Sequence, residues 1–206
     1  MMIRAFVAVD LDADGRKALA RAQELAKDRT LRELSRSAPD ARIQWVRPDS
    51  IHLTLKFLGE IADTRAEEIR RALAPAIQAQ ARFSVEVGGF GVFPDLRAPR
   101  VLWVGLSGQR DEAVTLARLA AEVDSGLDAL GFPREGRPFN PHLTLARIKE
   151  RAREVGKALA ASGLLSQTER FGSLTVDAVS LMRSELKPSG AVYTRLWEVP
   201  LKAGAA

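Results

Sequence analysis

The chain has 206 residues, of which 46% are hydrophobic, enough for a buried core and too apolar for disorder. Cysteine is absent, which rules out disulfides, a thiolate nucleophile and cysteine-ligated zinc. The formal net charge is +5, and of the 31 basic residues 24 are Arg and 7 are Lys. Arg grips phosphate with two parallel hydrogen bonds, so the composition suits a polyanionic partner, RNA or a nucleotide first. A GC-rich genome gives the same bias without any function.

No apolar run approaches the roughly 20 residues that span a bilayer. Residues 3–10 alternate, are rich in Phe and Val, and meet acidic residues at once. They read as a strand, not as a signal peptide, and the expected location is the cytoplasm. Asp10 to Asp14 is a polar turn with N-cap candidates. Ala18, Leu19, Ala22, Leu25 and Ala26 then give helical spacing over 14–36, with Pro39 beyond its end. An extended piece at 42–47 holds Trp45, and Pro48-Asp49-Ser50 is a turn.

Residues 51–58 read as a strand ended by Gly59. A helix follows from Asp63 or Thr64 to about 81, with Ile69, Leu73 and Ile77 on one face and Pro75 inside it as a kink or early stop. Residues 83–93 read as strand broken by Gly88-Gly89 and Gly91, residues 95–100 as a basic loop, and 101–106, with Trp103, as strand. A helix covers 111–130, with Gly131 at its C-cap. A basic, proline-containing approach leads from Pro133 to Pro141 and a strand over 142–148. After that come a helix over 150–161 ended by Gly163, a strand–turn–strand over 169–184, a loop over 187–190, and a last strand over 192–199 with Trp197.

The chain holds two histidines, and each opens the tetrapeptide H-L-T-L: His52-Leu53-Thr54-Leu55 and His142-Leu143-Thr144-Leu145. Side chains alternate along a strand, so each copy sets an imidazole and a hydroxyl on one face and two leucines on the other. The copies occupy matching points in a repeated order of elements, which predicts two similar lobes about a pseudo-two-fold axis with a cleft on it. Two imidazoles facing one cleft suit paired acid–base chemistry. In-line attack at phosphorus needs a base and an acid on opposite sides, and threonine hydroxyls can hydrogen-bond the phosphoryl oxygens. The scheme requires no metal or other cofactor.

The paired H-x-T-x motifs, the lead-in Pro141-His142 and the trailing Leu145-Ala146-Arg147 resemble the two-histidine (2H) phosphoesterases. The opening Arg4-Ala5-Phe6-Val7-Ala8, the run Thr54 to Glu60, and Phe90-Gly91-Val92-Phe93-Pro94 leading to Arg100-Val101-Leu102-Trp103 resemble the bacterial and archaeal RNA 2′,3′-cyclic phosphodiesterases among them, also called 2′-5′ RNA ligases. Only the stretch from Asp28 to Arg42 lacks a close match.

The resemblance implies an α+β fold: a single bilobal domain over residues 1–206, each lobe an antiparallel sheet with flanking helices. It implies opening of the 2′,3′-cyclic phosphate of an RNA end or cyclic nucleotide to a 2′-phosphomonoester; the expected state is a monomer. Carried over, His52 resembles the proton donor to the leaving oxygen and His142 the proton acceptor from water. Thr54 and Thr144 resemble the phosphate-oxygen donors, and Arg147 a phosphate or ribose contact that must turn inward despite its odd separation from Thr144. Phe6 is a base-stacking candidate or core, and so is Trp45; Trp103 and Trp197 read as core. Arg97, Arg100, Arg134 and Arg137 are candidate backbone contacts or plain surface charge.

Three alternatives are open. A two-histidine metal hydrolase lacks a carboxylate at ligand spacing, and neither a G-x-S-x-G elbow nor a Walker A loop occurs. The reverse reaction, 2′-5′ RNA ligation, would use the same residues. A binding module holding RNA ends without turnover would not need both histidines and both threonines.

Overall fold

The fold is taken from a computed structural model, which describes residues 1–107, 110–187 and 190–203. The elements run β1 (Met2–Val9), α1 (Ala13–Ser37), β2 (Ile43–Trp45), β3 (Leu53–Ala62), α2 (Ala66–Ala79), β4 (Phe83–Phe93), β5 (Val101–Ser107), α3 (Arg110–Asp128), β6 (His142–Ile148), α4 (Ala152–Ala161), β7 (Arg170–Val176), β8 (Ala178–Lys187) and β9 (Gly190–Pro200). Short 3₁₀ turns at Pro48–Ser50, Asp63–Arg65 and Leu164–Ser166 join them. Of the expected loop at 187–190, positions 188 and 189 lie outside the described residues.

Two antiparallel sheets result, with strand orders β3-β1-β8-β9 and β2-β6-β5-β4-β7. Apart from the short edge strand β2, the orders correspond one to one: each H-L-T-L strand lies beside the first strand of its own half. The third strand of each sheet comes from the other half of the chain. Helices cross over too. α2 and α3 cover the first sheet and α1 the second, with α4 packed against α1. The fold is thus α+β and two-lobed as expected, but the halves of the sequence are interlaced. Residues 169–184, which read as one strand–turn–strand unit, are β7 in one sheet and β8 in the other, with the crossing at Asp177.

Amphipathic patterning explains the helices. Ile69, Leu73 and Ile77 of α2 are at most 1% exposed, and the helix continues through Pro75. Asp12 caps α1 by accepting from the Gly15 N–H at 2.7 Å, replacing a bond that the first turn lacks. Gly59 does not end β3. At φ +71° it follows a bulge where the β1–β3 register shifts, a backbone state that glycine adopts without strain. Gly89, also at φ +71°, does the same within β4, beside the register shift between Val87 and Phe90.

Candidate active site

Each histidine stands at the head of its strand. Leu53, Leu143 and Leu145 are fully buried and Leu55 is 8% exposed, while the alternate residues His52, Thr54, His142 and Thr144 are half-buried on the opposite face. All four line one cavity of about 620 Å³ between the sheets, a size typical of small-ligand sites. Residues 44–47 and 50–52, from the stretch that leads from β2 to β3, also line it.

Both imidazoles are fixed in the same way. His142 Nδ1–H donates to the Asn140 carbonyl at 2.8 Å, and His52 hydrogen-bonds the Ser50 backbone, again two residues upstream. This leaves the other ring nitrogen, Nε2 in His142, as the group available to a ligand. Two aromatic rings also bracket each histidine. Phe6 stacks on His52 at 4.5 Å and Tyr193 meets it edge-on at 4.9 Å. Phe93 meets His142 edge-on at 5.0 Å, and Trp103 lies 6.0 Å away. Gly91 permits that position, because a Cβ there would sit 2.1 Å from the Trp103 ring.

Burial lowers the pKa of His52 to about 4, against the raising influence of Asp10 and the Ser50 hydrogen bond; the Arg147 charge lowers it further. Burial lowers that of His142 as well, opposed by the Asn140 bond and helped by Arg147. The cleft therefore holds two neutral imidazoles at pH 7, each with a free nitrogen.

Arg147 reaches the cleft because β6 carries a bulge: Thr144 pairs with Trp103 but Ala146 with Leu102, leaving Leu145 as the extra residue. Leu145 and Ala146 both turn into the core, and Arg147 swings to the histidine side. β3 does the same at Leu55, so Leu55 and Lys56 are buried and Phe57 emerges 69% exposed into the cavity. Phe57 and Arg147 are thus equivalent positions of the repeat, one aromatic and one cationic. Sequence reasoning missed Phe57, and the signal was available: aligning H-L-T-L-K-F with H-L-T-L-A-R sets Phe57 against Arg147.

Phe6 lines the cleft but is only 2% exposed, with a ring face occupied by His52. It supports the catalytic ring, and the open aromatic surface is on Phe57, 6.0 Å from it. Trp45 also lines the cavity. Trp103 is not core, as expected from its aliphatic neighbours, but lies half-buried beside His142. Trp197 is packed against the core and donates to the Ala66 carbonyl. None of Arg97, Arg100, Arg134 and Arg137 lines the cleft; Arg134 pairs with Asp128 and Arg137 with Glu135. Among the described residues no three His, Asp or Glu side chains cluster as metal ligands, and no helix is long and apolar enough to cross a membrane.

The chain is 34% identical over 194 residues to the RNA 2′,3′-cyclic phosphodiesterase of Methanothermobacter thermautotrophicus, covering 94% of this chain and 96% of that one. It is 34% identical to the enzyme of the same name from Archaeoglobus fulgidus, covering 94% and 98%. Among solved structures, it superposes on a Thermus thermophilus protein with a TM-score of 0.72 and 29% identity, covering 98% of this chain and all of that one. It superposes on E. coli LigT complexed with 3′-AMP with a TM-score of 0.65 and 25% identity, covering 98% and 99%. A family model described as LigT like Phosphoesterase matches two successive segments of similar length, 13–103 and 108–193, each containing one H-L-T-L motif, and the chain belongs to this LigT-like, two-histidine phosphoesterase family.

Proposed function

We propose that this protein hydrolyses RNA 2′,3′-cyclic phosphate ends to 2′-phosphomonoesters, with His142 taking a proton from the attacking water and His52 protonating the departing 3′ oxygen. The observation that carries the reading is one cavity with two imidazoles, each pinned at one nitrogen and free at the other, and two threonines beside them. The relatives' names supply the substrate class. The division of labour follows the family resemblance; the Asp10 carboxylate raises His52, but burial outweighs it in the free protein. A bound cyclic phosphate adds a negative charge that raises both rings, which brings His52 up from its lowered value toward a proton-carrying state.

Thr54 and Thr144 hydrogen-bond the non-bridging oxygens as charge gathers on them, and Arg147 neutralises the phosphoryl group. The open face of Phe57 takes the terminal base, for stacking worth about 1–3 kcal/mol. The chain acts as one domain and as a monomer, because the interlaced halves complete the cleft within a single copy; a cytoplasmic location suits an RNA substrate.

The test is incubation of an oligoribonucleotide ending in a 2′,3′-cyclic phosphate, with chelator present. The expected product carries a 2′-phosphate only. His52→Ala and His142→Ala should each lower turnover by about 10²- to 10⁴-fold, the contribution of a positioned acid or base. Wild-type turnover in either variant, or a 3′-phosphate product, would refute the assignment.

A further inference from the structure

The cleft carries more positive charge than one phosphate requires. Arg4, Arg47, Arg147, Lys149 and Lys187 line it, and no Asp or Glu among the described residues does. Elsewhere on the surface arginines are neutralised: Arg32 by Asp28, Arg42 by Glu150, Arg151 by Asp40, Arg170 by Glu86. Arg47 and Lys149 have no ion-pair partner among the described residues.

These cations are ordered by the strands. Past the bulge, Arg147 pairs in register with Gln44 of β2. Lys149 continues the ladder, its N–H donating to the Arg42 carbonyl at 2.8 Å. Two residues of extended chain separate Arg147 from Lys149, about 6.6 Å, a spacing comparable to that of neighbouring phosphates in a single RNA strand. Gln44 and Arg47, from the adjoining stretch, line the cavity too. The sequence from His142 through Thr144 and Arg147 to Lys149 is a line from the reaction centre outward, with a cation at each step beyond the threonine.

We propose that Arg47, Lys149 and Gln44 form a second phosphate-binding site, which holds the phosphodiester that joins the terminal nucleotide to its 5′ neighbour and makes the enzyme selective for oligonucleotide ends over cyclic mononucleotides. The site rests on the function proposed above and extends it from the reacting phosphate to the next one. Arg147 belongs to the first phosphate; Arg47 and Lys149 add a charge-based contact that reads backbone rather than base.

The experiment compares two probes at several salt concentrations: a five-nucleotide RNA ending in a 2′-phosphate, and the matching nucleoside 2′-phosphate. Binding is followed by calorimetry and turnover by the cyclic forms of both. The oligonucleotide should bind at least 10-fold more tightly at low salt. Arg47→Gln with Lys149→Gln should remove about 10-fold of oligonucleotide affinity and kcat/KM, flatten its log–log salt slope by about 0.7 for each lost phosphate contact, and change the mononucleotide values less than two-fold. Arg97→Gln with Arg137→Gln, surface residues that do not line the cleft, should leave both probes within two-fold.

Equal losses for the two probes would overturn the proposal, as would no loss for either, or an equal oligonucleotide loss from the Arg97 and Arg137 pair. A thermal melt of each variant separates these results from misfolding, and Lys149→Arg should restore the oligonucleotide advantage. If neither probe binds and neither cyclic form turns over, the function proposal itself falls; if mononucleotide turnover persists without oligonucleotide preference, only the second site does.

Discussion

At the scale of single residues, chemistry at this site depends on how two like imidazoles are made unlike. Both are lowered by burial, His52 to about 4, so the free protein holds both rings neutral near pH 7. A histidine lowered in the folded state binds fewer protons there than in the unfolded chain. Its contribution to stability is therefore full above the unfolded value of 6.5 and is lost as pH falls from there toward about 4. NMR titration should show His52 changing protonation near pH 4 in the free protein and at higher pH once inorganic phosphate occupies the cleft; a midpoint near 6.5 in both states would contradict the burial argument. Phe57→Ala should raise KM for a base-bearing substrate by about 5- to 150-fold, the equivalent of about 1–3 kcal/mol of stacking, and leave kcat largely intact; an equal fall in kcat would mean that the ring also positions the phosphate. The histidines and threonines were legible because they stand in an exact internal repeat with two-residue alternation. Phe57 and the aromatic brackets were not. Tyr193, Phe93 and Trp103 come from strands far apart in sequence, and nothing local marks a ring that meets an imidazole edge-on.

At the scale of elements, the bulges carry information that periodicity hides. Strict alternation sends Arg147 to the core side of β6 and Lys56 to the cleft side of β3. One extra residue in each strand reverses both. Lys56 is thereby buried, and its ammonium pairs with Asp124 of α3 and donates to the Pro133 carbonyl at 2.7 Å. Burial opposes the charge of Asp124, but the Lys56 hydrogen bond, the Glu135 N–H and the charges of Lys56 and Arg134 outweigh it and hold its carboxyl below the usual range. This pair clamps α3 and the approach to Pro141 onto β3, at the point where the strand presents Phe57. Asp124→Asn leaves a buried ammonium without its counter-charge, which typically costs about 3 kcal/mol, and the melting temperature should fall by roughly 6–12 °C. Lys56→Met in the same chain should recover much of it, since replacing a buried pair by apolar groups is often neutral. A double variant no more stable than the single one would show that the clamp acts by geometry and not by charge. A lysine at this strand position gave no warning of the clamp, because its partner lies in a helix whose docking the sequence does not announce.

At the scale of the whole molecule, the repeat suggests two units and the topology denies them independence. β8 lies beside β1 and β4 beside β5, so the third strand of each sheet arrives from the opposite half. α1 covers the second sheet and α3 the first. Removing either half strips a helix and a central strand from the sheet that remains. For the first sheet, loss of β8 exposes Val7 and Val9, both buried in the intact core, and opens backbone hydrogen bonds along β1, an edge that invites aggregation. The interlacing was invisible in the chain order, since hydrophobic periodicity says which face of an element is buried but not against which sheet. A fragment of residues 1–97 and one of residues 98–206, cut in the loop between β4 and β5, should each lack dispersed amide signals in NMR spectra when alone. Mixed from denaturant, the two should recover native spectra and cyclic phosphodiesterase activity together, with neither appearing before the other. The intact chain should unfold in one transition by both far-UV circular dichroism and tryptophan fluorescence. An isolated half that folds, or two separate transitions, would mean that the lobes have cores of their own and that the cleft lies between two domains rather than within one.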